Sequence, residues 1–141
     1  MILHIPHSSK KMLQSVVNLQ DAEKNHQILC DLYTDELFKH PAYKRIVAPY
    51  SRFSVDVERF RGKNEPMEKL GMGYRYTMDA LGNDIVRKDD IQAVNTLYDN
   101  HHAELAKAVE QELFTASEVV IVDCHSFPDE QHLFHRKFIA T

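Results

Sequence analysis

The stretch Glu118-Val119-Val120-Ile121-Val122-Asp123 decides the fold class, and Cys124-His125-Ser126 follows it directly. An uninterrupted β-branched run of this kind is typical of a central, largely parallel strand that is covered on both faces. Such a strand delivers functional groups at its C-terminal end. The sequence therefore predicts a site at the edge of the sheet where His125 lies.

Earlier segments predict the remaining elements of an α/β fold. The short apolar run 2–5 ends at a proline and indicates a buried strand, and two further strands are predicted over residues 45–49 and 53–58. Apolar residues at three- and four-residue steps predict helices over 21–38 and 89–114. The order of these elements predicts a mixed, largely parallel central sheet flanked by helices.

Composition and charge narrow the class of protein. The chain has 141 residues, of which 43% are hydrophobic and 27% charged, so residues 1–141 are expected to form one soluble globular domain. It contains no run of about 18 apolar residues, so no membrane span is expected. The net charge of −4 and the lack of a basic stripe argue against nucleic acid as a partner. Cys30 and Cys124 are too few for a disulfide framework and no secretory signal is evident, which indicates a reducing, cytoplasmic location.

The chain is rich in histidine, with nine residues, and two of them follow predicted strands as Pro6-His7-Ser8 and Cys124-His125-Ser126. Two imidazoles at neighbouring strand ends, together with one carboxylate, make the three-ligand zinc set that leaves a position open for water. Alternatively, each histidine only hydrogen-bonds its own loop. The residues alone leave both interpretations open.

The acidic ligand of such a site must come from another element, because Lys10 stands three residues after His7 and no HExxH motif occurs. Asp35 and Glu36 are adjacent acids in the first predicted helix. Only one of two adjacent helical positions can face inward, since they differ by about 100° around the axis. A solvated acidic face is the alternative that the sequence by itself favours.

Arg52 and Arg59 are candidates for binding the carboxylate of a small acidic molecule, because a guanidinium binds a carboxylate in bidentate fashion. The alternative is a structural pair between an arginine and Asp56. His101 and His102 are adjacent in the long predicted helix, so at most one of them faces a site. An exposed pair is the alternative there.

Several stretches of the chain follow the order of the motifs of a known family. They are Ile5-Pro6-His7-Ser8-Ser9, residues 33–38, 51–60, 65–67 and 71–77, Leu97-Tyr98 with His102, and residues 122–128. Together they resemble the N-formylglutamate amidohydrolase (N-formylglutamate deformylase) family over residues 1 to 128. Residues 129–141 do not resemble it, and members of the family are longer, so we expect a C-terminally incomplete member with a divergent tail.

The resemblance implies a Zn²⁺-dependent hydrolase with a phosphorylase/hydrolase-like fold, similar to that of zinc carboxypeptidases and aspartoacylase. It implies hydrolysis of N-formyl-L-glutamate, or of a related N-acyl amino acid, to formate and L-glutamate. The zinc ligands it implies are His7, His125 and an acid, either Asp35, which the motif position favours, or Glu36. It implies that the substrate carboxylates are bound by Arg52 and Arg59, and that a catalytic pocket residue is His102. Glu58 departs from the asparagine expected before Arg59.

Two other functions stay open. In one, the chain is a truncated, catalytically inactive relative that binds a metal or an acidic ligand, or forms a homo-oligomer through uncovered strand edges and apolar faces. In the other, it is a peptidase of the carboxypeptidase type.

Overall fold

A computed structural model describes residues 1–16, 19–62, 64–88 and 90–127 of the chain. Its elements are, in order, β1 (Ile2–Ile5), α1 (Ala22–Leu29), α2 (Thr34–Leu37), β2 (Lys44–Val47), a 3-10 helix (Pro66–Leu70), α3 (Ile91–Leu113) and β3 (Ile121–Asp123). The α/β class predicted from the sequence is confirmed. The predicted divergent tail, residues 129–141, lies outside the described residues.

The described strands form one parallel sheet in the order β2-β1-β3. All four residues of β1 are buried, so the central strand is the first one in the chain. The sequence predicted that the run ending at Asp123 would be central, and for the described residues this is wrong. There β3 pairs with β1 alone, and the side chain of Ile121 stays 42% exposed.

The two faces of β1 contact different parts of the protein because its side chains alternate. On one face, Ile2 packs with Ile46 and Ala108, which places α3 over the sheet. On the other face, Leu3 and Ile5 pack around the Cys124 thiol. The alternation therefore gives β1 a helix on one side and a smaller apolar cluster on the other.

The helix predicted over residues 21–38 is broken into α1 and α2. Cys30, which follows α1, is extended with φ −91° and ψ 144°, and Tyr33 adopts a left-handed conformation with φ 67°. Between them the Asp31 N–H donates to the His7 carbonyl oxygen over 3.0 Å. The break therefore ties the end of α1 to the chain just beyond β1, which a continuous helix could not do.

The strand predicted over residues 53–58 is also wrong, since this segment forms turns. The Ser54 N–H donates to Ser51 O over 2.8 Å, and the Asp56 N–H donates to Tyr74 O over 2.8 Å. Both the apolar and the polar side chains are buried as far as Val57. The alternating pattern here marks a segment that is enclosed on all sides, with its polar groups paired inside the protein.

The long helix predicted over residues 89–114 is confirmed as α3. The Asp90 carboxylate caps it by accepting a hydrogen bond from the Gln92 N–H over 2.9 Å. Its buried residues, Val94, His101 and Ala108, repeat every seven positions, which places them on one side of the helix. Among the described residues, no helix is long and apolar enough to cross a membrane.

Because β1 is the central strand, a cavity in β1 should destabilise the protein more than a cavity in β3. Replacing the fully buried Ile5 by alanine should lower the free energy of unfolding by about 2–5 kcal/mol, because it leaves a cavity at the centre of the sheet. Ile121→Ala is the matched control at the exposed strand and should cost under about 1 kcal/mol. Urea unfolding followed by circular dichroism measures both, and equal losses would contradict a central β1.

Candidate metal centre

The two histidines that the sequence singled out lie together at one edge of the sheet. His7 stands two residues beyond β1, and His125 stands two residues beyond β3. Because the two strands are parallel neighbours, their C-terminal ends meet at the same edge, and the imidazole ring centroids are 5.5 Å apart. His7 is buried, whereas His125 is partly open to solvent.

Asp31 is an acid that contacts both histidines on their Nδ1 side. Its Oδ2 lies 2.8 Å from His125 Nδ1 and 3.4 Å from His7 Nδ1. Among the described residues His7 Nδ1 is buried without a hydrogen-bond partner. The sequence did not predict Asp31 as a site residue. Its one signal there is an acidic residue close to Tyr33, where the apolar helical pattern is interrupted.

Glu58 contacts both histidines on their Nε2 side. Its Oε1 lies 3.1 Å from His125 Nε2, and its Oε2 lies 3.6 Å from His7 Nε2. Ligand atoms of His7, Glu58 and His125 all fall within 4.8 Å of one another, a spacing that can hold a metal ion. The sequence marked Glu58 only as a departure from the expected asparagine.

Asp56 is a third acid of the site and contacts His7 at Nε2. Its Oδ1 lies 2.9 Å from His7 Nε2, and its Oδ2 accepts hydrogen bonds from Arg52 Nε, Arg52 Nη2 and the Tyr76 hydroxyl over 3.1, 2.9 and 3.1 Å. Burial alone would raise the pKa of Asp56, but the positive charge of Arg52 and the contact with His7 hold it well below its usual value. Asp56 is therefore an ionised carboxylate that keeps His7 Nε2 engaged.

Asp31 and Asp56 stay ionised at neutral pH. Burial would raise the pKa of Asp31, yet its contacts with His7 and His125 bring this pKa below its usual value. Burial would lower the pKa of His7, but the negative charges of Asp56 and Asp31 outweigh it and raise the pKa. Ionised carboxylates around two imidazoles make an environment that attracts a cation.

A comparison with known protein families finds one family that matches most of the chain. The model of the family described as N-formylglutamate amidohydrolase matches residues 1–138. The chain belongs to the N-formylglutamate amidohydrolase family. Comparison with curated proteins and with solved structures returns no match. The family match supports a hydrolase of the N-formylglutamate amidohydrolase type, and it continues beyond residue 128, where the motif resemblance ends.

The structure places Arg52, which the resemblance implied as a substrate-binding residue, in the interior. Its side chain is buried, with Nε and Nη2 on Asp56 and with Nη1 donating to Leu29 O over 2.8 Å. Arg52 therefore forms the structural pair with Asp56 that the sequence left as the alternative. Arg59 is different: its side chain is 26% exposed, and its Nε, 3.7 Å from Asp56 Oδ2, has no hydrogen-bond partner among the described residues.

The two acids of α2 that the resemblance implied as ligands make other contacts in the structure. Glu36 is 70% exposed and lies 3.9 Å from the Lys39 ammonium. The backbone carbonyl of Asp35 accepts a hydrogen bond from Arg45 Nη1 over 2.7 Å. Neither acid belongs to a possible ligand group within the described residues. The cause is the break after α1, which brings Asp31 to the histidines instead.

His102, expected in the catalytic pocket, lies beside the centre rather than in it. Its Nε2 donates to Val57 O over 2.8 Å, next to Glu58 in the chain, and its ring packs on Tyr98 with centroids 4.4 Å apart. His102 therefore holds the backbone next to Glu58. The adjacent His101 points to a different neighbour, as its Nε2 lies 2.8 Å from Nε2 of a second buried histidine, His4.

A cavity of about 210 Å³ opens beside the centre. Its lining includes both apolar and polar residues: Gln27, Ile28, Cys30, Asp31, Leu32, Ser126 and Phe127. The Ser126 hydroxyl donates to Asp31 Oδ1 over 3.4 Å, so the cavity reaches the acid that joins the two histidines. A small organic molecule bound there would lie next to the histidines.

The buried charge of Asp56 predicts a large cost for removing its main partner. Arg52→Met should lower the free energy of unfolding by about 3–5 kcal/mol, because it leaves an uncompensated carboxylate in the interior. Arg61→Met is the matched control, since Arg61 pairs with Asp99 on the surface and such pairs contribute about 0–1 kcal/mol. Urea unfolding measures the free energy of unfolding of both variants. A loss in Arg52→Met as small as that in Arg61→Met would show that the Arg52 charge does not stabilise Asp56 in the folded protein.

Proposed function

We propose that this chain is a Zn²⁺-dependent amidohydrolase. Its substrate is N-formyl-L-glutamate or a related small acidic N-acyl amino acid, which it hydrolyses to formate, or the corresponding acid, and the free amino acid. The observation that carries the proposal is the convergence of His7, His125 and Asp31 at the sheet edge in a member of this family.

The arrangement of nitrogen atoms fits a zinc ion. The buried His7 Nδ1 lacks a hydrogen-bond partner among the described residues and faces a carboxylate oxygen, so a cation would satisfy it. The Nε2 atoms of His7 and His125 are instead close to Asp56 and Glu58. A zinc-binding histidine commonly donates its second N–H to a carboxylate in this way. His7, His125 and Asp31 would therefore hold the ion, with donor types that zinc prefers.

The residues of the chain prepare this centre for hydrolysis. When bound, zinc supplies a Lewis acid that polarises the scissile carbonyl and makes water more acidic. Asp56 and Glu58 accept the Nε2 protons and so direct each Nδ1 lone pair toward one point. Arg52 keeps Asp56 ionised, and it thereby fixes the orientation of His7 without contacting the substrate.

Arg59 is the arginine that supports an acidic substrate. Its guanidinium borders the buried Asp56 and is partly exposed, so it can bind a carboxylate that approaches from solvent. The cavity beside Asp31 offers apolar contacts from Ile28, Leu32 and Phe127 for the rest of the molecule. Together they suit a small molecule with one amide group and at least one free carboxylate.

The proposal also covers the location of the protein in the cell and its partners. Cys30 and Cys124 are both buried free thiols, which supports a reducing, cytoplasmic location. The exposed side chains of Ile121 in β3, and of Val120 and Phe127 outside it in the chain, support self-association at that edge. Neither nucleic acid nor a membrane is proposed as a partner.

The metal site predicts a joint loss of zinc and activity. His7→Ala and Asp31→Asn should each lower zinc affinity and formate release from N-formyl-L-glutamate by about a hundredfold or more, because each removes one of three ligands. His40→Ala, which changes an exposed histidine away from the centre, should leave both unchanged. Metal analysis and a formate assay measure the two quantities.

The same measurements separate the competing functions. Wild-type protein without zinc, or unchanged zinc in His7→Ala, would contradict the site. Zinc binding with no turnover on a panel of N-acyl amino acids would favour the inactive relative. Release of C-terminal residues from peptides, without deformylation, would favour the carboxypeptidase.

The role of Arg59 predicts an effect on substrate binding. Arg59→Gln should raise KM for N-formyl-L-glutamate by about 10- to 100-fold with a smaller change in kcat, since a hydrogen bond to a charged group contributes about 1.5–3 kcal/mol. Arg61→Gln, two residues further on, should leave KM unchanged because Arg61 is paired with Asp99. Steady-state kinetics of both variants test the assignment, and equal KM values in wild type and Arg59→Gln would refute it.

A further inference from the structure

A second group of metal-binding side chains lies on the α3 face of β1. His4 and Asp123 occupy paired positions on β1 and β3, and His4 Nδ1 is 2.6 Å from Asp123 Oδ1. The carboxylate of Glu58 completes the group, with one ligand atom from each of the three residues within 4.8 Å of the others. His4 is separate from the site at His7, which lies beyond the end of the strand.

Glu58 belongs to both groups. It contacts His7 and His125 on one side, and it lies within 4.8 Å of His4 and Asp123 on the other. We propose that His4, Asp123 and Glu58 form a second site for a divalent transition-metal ion, beside the first, whose histidines Glu58 contacts at Nε2. The second site stands on its own residues, and only this contact with the first site rests on the proposed function.

The neighbourhood of His4 prepares its Nδ1 as a ligand. His4 is buried, and its Nε2 lies 2.8 Å from His101 Nε2 on α3. His101 is buried beside it and offers an imidazole nitrogen that can accept the Nε2 proton of His4. The His4 Nδ1 atom is then directed at Asp123, and a metal ion takes the place of the proton that the two share.

The chemistry and spacing of the donors fit a first-row divalent ion. One imidazole and two carboxylates suit Zn²⁺, Co²⁺ or Mn²⁺. Metal–ligand bonds of about 2.0–2.2 Å place neighbouring donor atoms about 3 Å apart and opposite ones about 4 Å apart. His4 Nδ1 and Asp123 Oδ1 are 2.6 Å apart, closer than this, so the ion must move them apart when it displaces the proton between them. Asp123 is 57% exposed and can shift, which also leaves a path for the ion to enter.

The number of zinc ions bound by the full chain tests the proposal. Calorimetric titration of the wild type should give two equivalents of Zn²⁺. Asp123→Asn should weaken one of them by about a hundredfold or more and leave the other, and its exposed position keeps the fold intact. Glu118→Gln removes an exposed acid from the same segment and should keep both equivalents.

Each result has a distinct meaning. One equivalent in the wild type that Asp123→Asn does not affect would overturn the second site, leave the zinc of the proposed function intact, and reduce His4 and Asp123 to an ion pair. Two equivalents that both survive Asp123→Asn would overturn it as well. A single equivalent that survives His7→Ala but not Asp123→Asn would support the second site and contradict the first.

The role of Glu58 has its own test. Glu58→Gln should remove the Zn²⁺ of the second site and weaken the first by less, because at the first site Glu58 only accepts a proton from His125 Nε2. Two equivalents of unchanged affinity in Glu58→Gln would overturn the assignment of Glu58 to the second site.

Discussion

The rest of the site depends on the buried, ionised carboxylate of Asp56. A charge in the interior costs several kcal/mol unless hydrogen bonds and an opposite charge surround it. Here Arg52, Tyr76 and His7 all reach it, and each comes from a different part of the chain. Arg52 also binds the end of α1 at Leu29 O, so satisfying one carboxylate fixes the relative positions of β1, α1 and the turns around residue 56.

In this arrangement, the residues that fix the orientation of His7 are different from the residues that lie next to the cavity. Asp56 and Arg52 are closed to solvent, and they hold His7 rigidly because every polar atom they carry toward the centre is engaged. His125 is partly open to solvent, and Asp31, although buried, lines the cavity. A site built in this way keeps its geometry through Asp56 and Arg52, while the cavity gives a ligand access to Asp31.

The sequence predicted the parts of this protein that follow regular periodicity. It predicted α3, the strands β1 and β2, and the meeting of His7 and His125, because parallel strands bring their ends to one edge. It could not predict Asp31 or Glu58, since both lie outside the helices and strands, where the course of the chain depends on tertiary contacts and not on local pattern. The same limit explains the choice of Asp35 and Glu36, which stand on the nearest helical element, and it explains why the buried residues 53–57 resembled a strand.

The order β2-β1-β3 also has a consequence for the protein while it is being synthesised. The central strand is made first, and one of its two partners follows about 120 residues later. At a synthesis rate of about 5–20 residues per second, one edge of β1 waits roughly 6–24 s for β3 to emerge. During that interval the nascent chain carries an apolar strand with an unpaired edge, which is the surface that chaperones shield and that aggregation exploits.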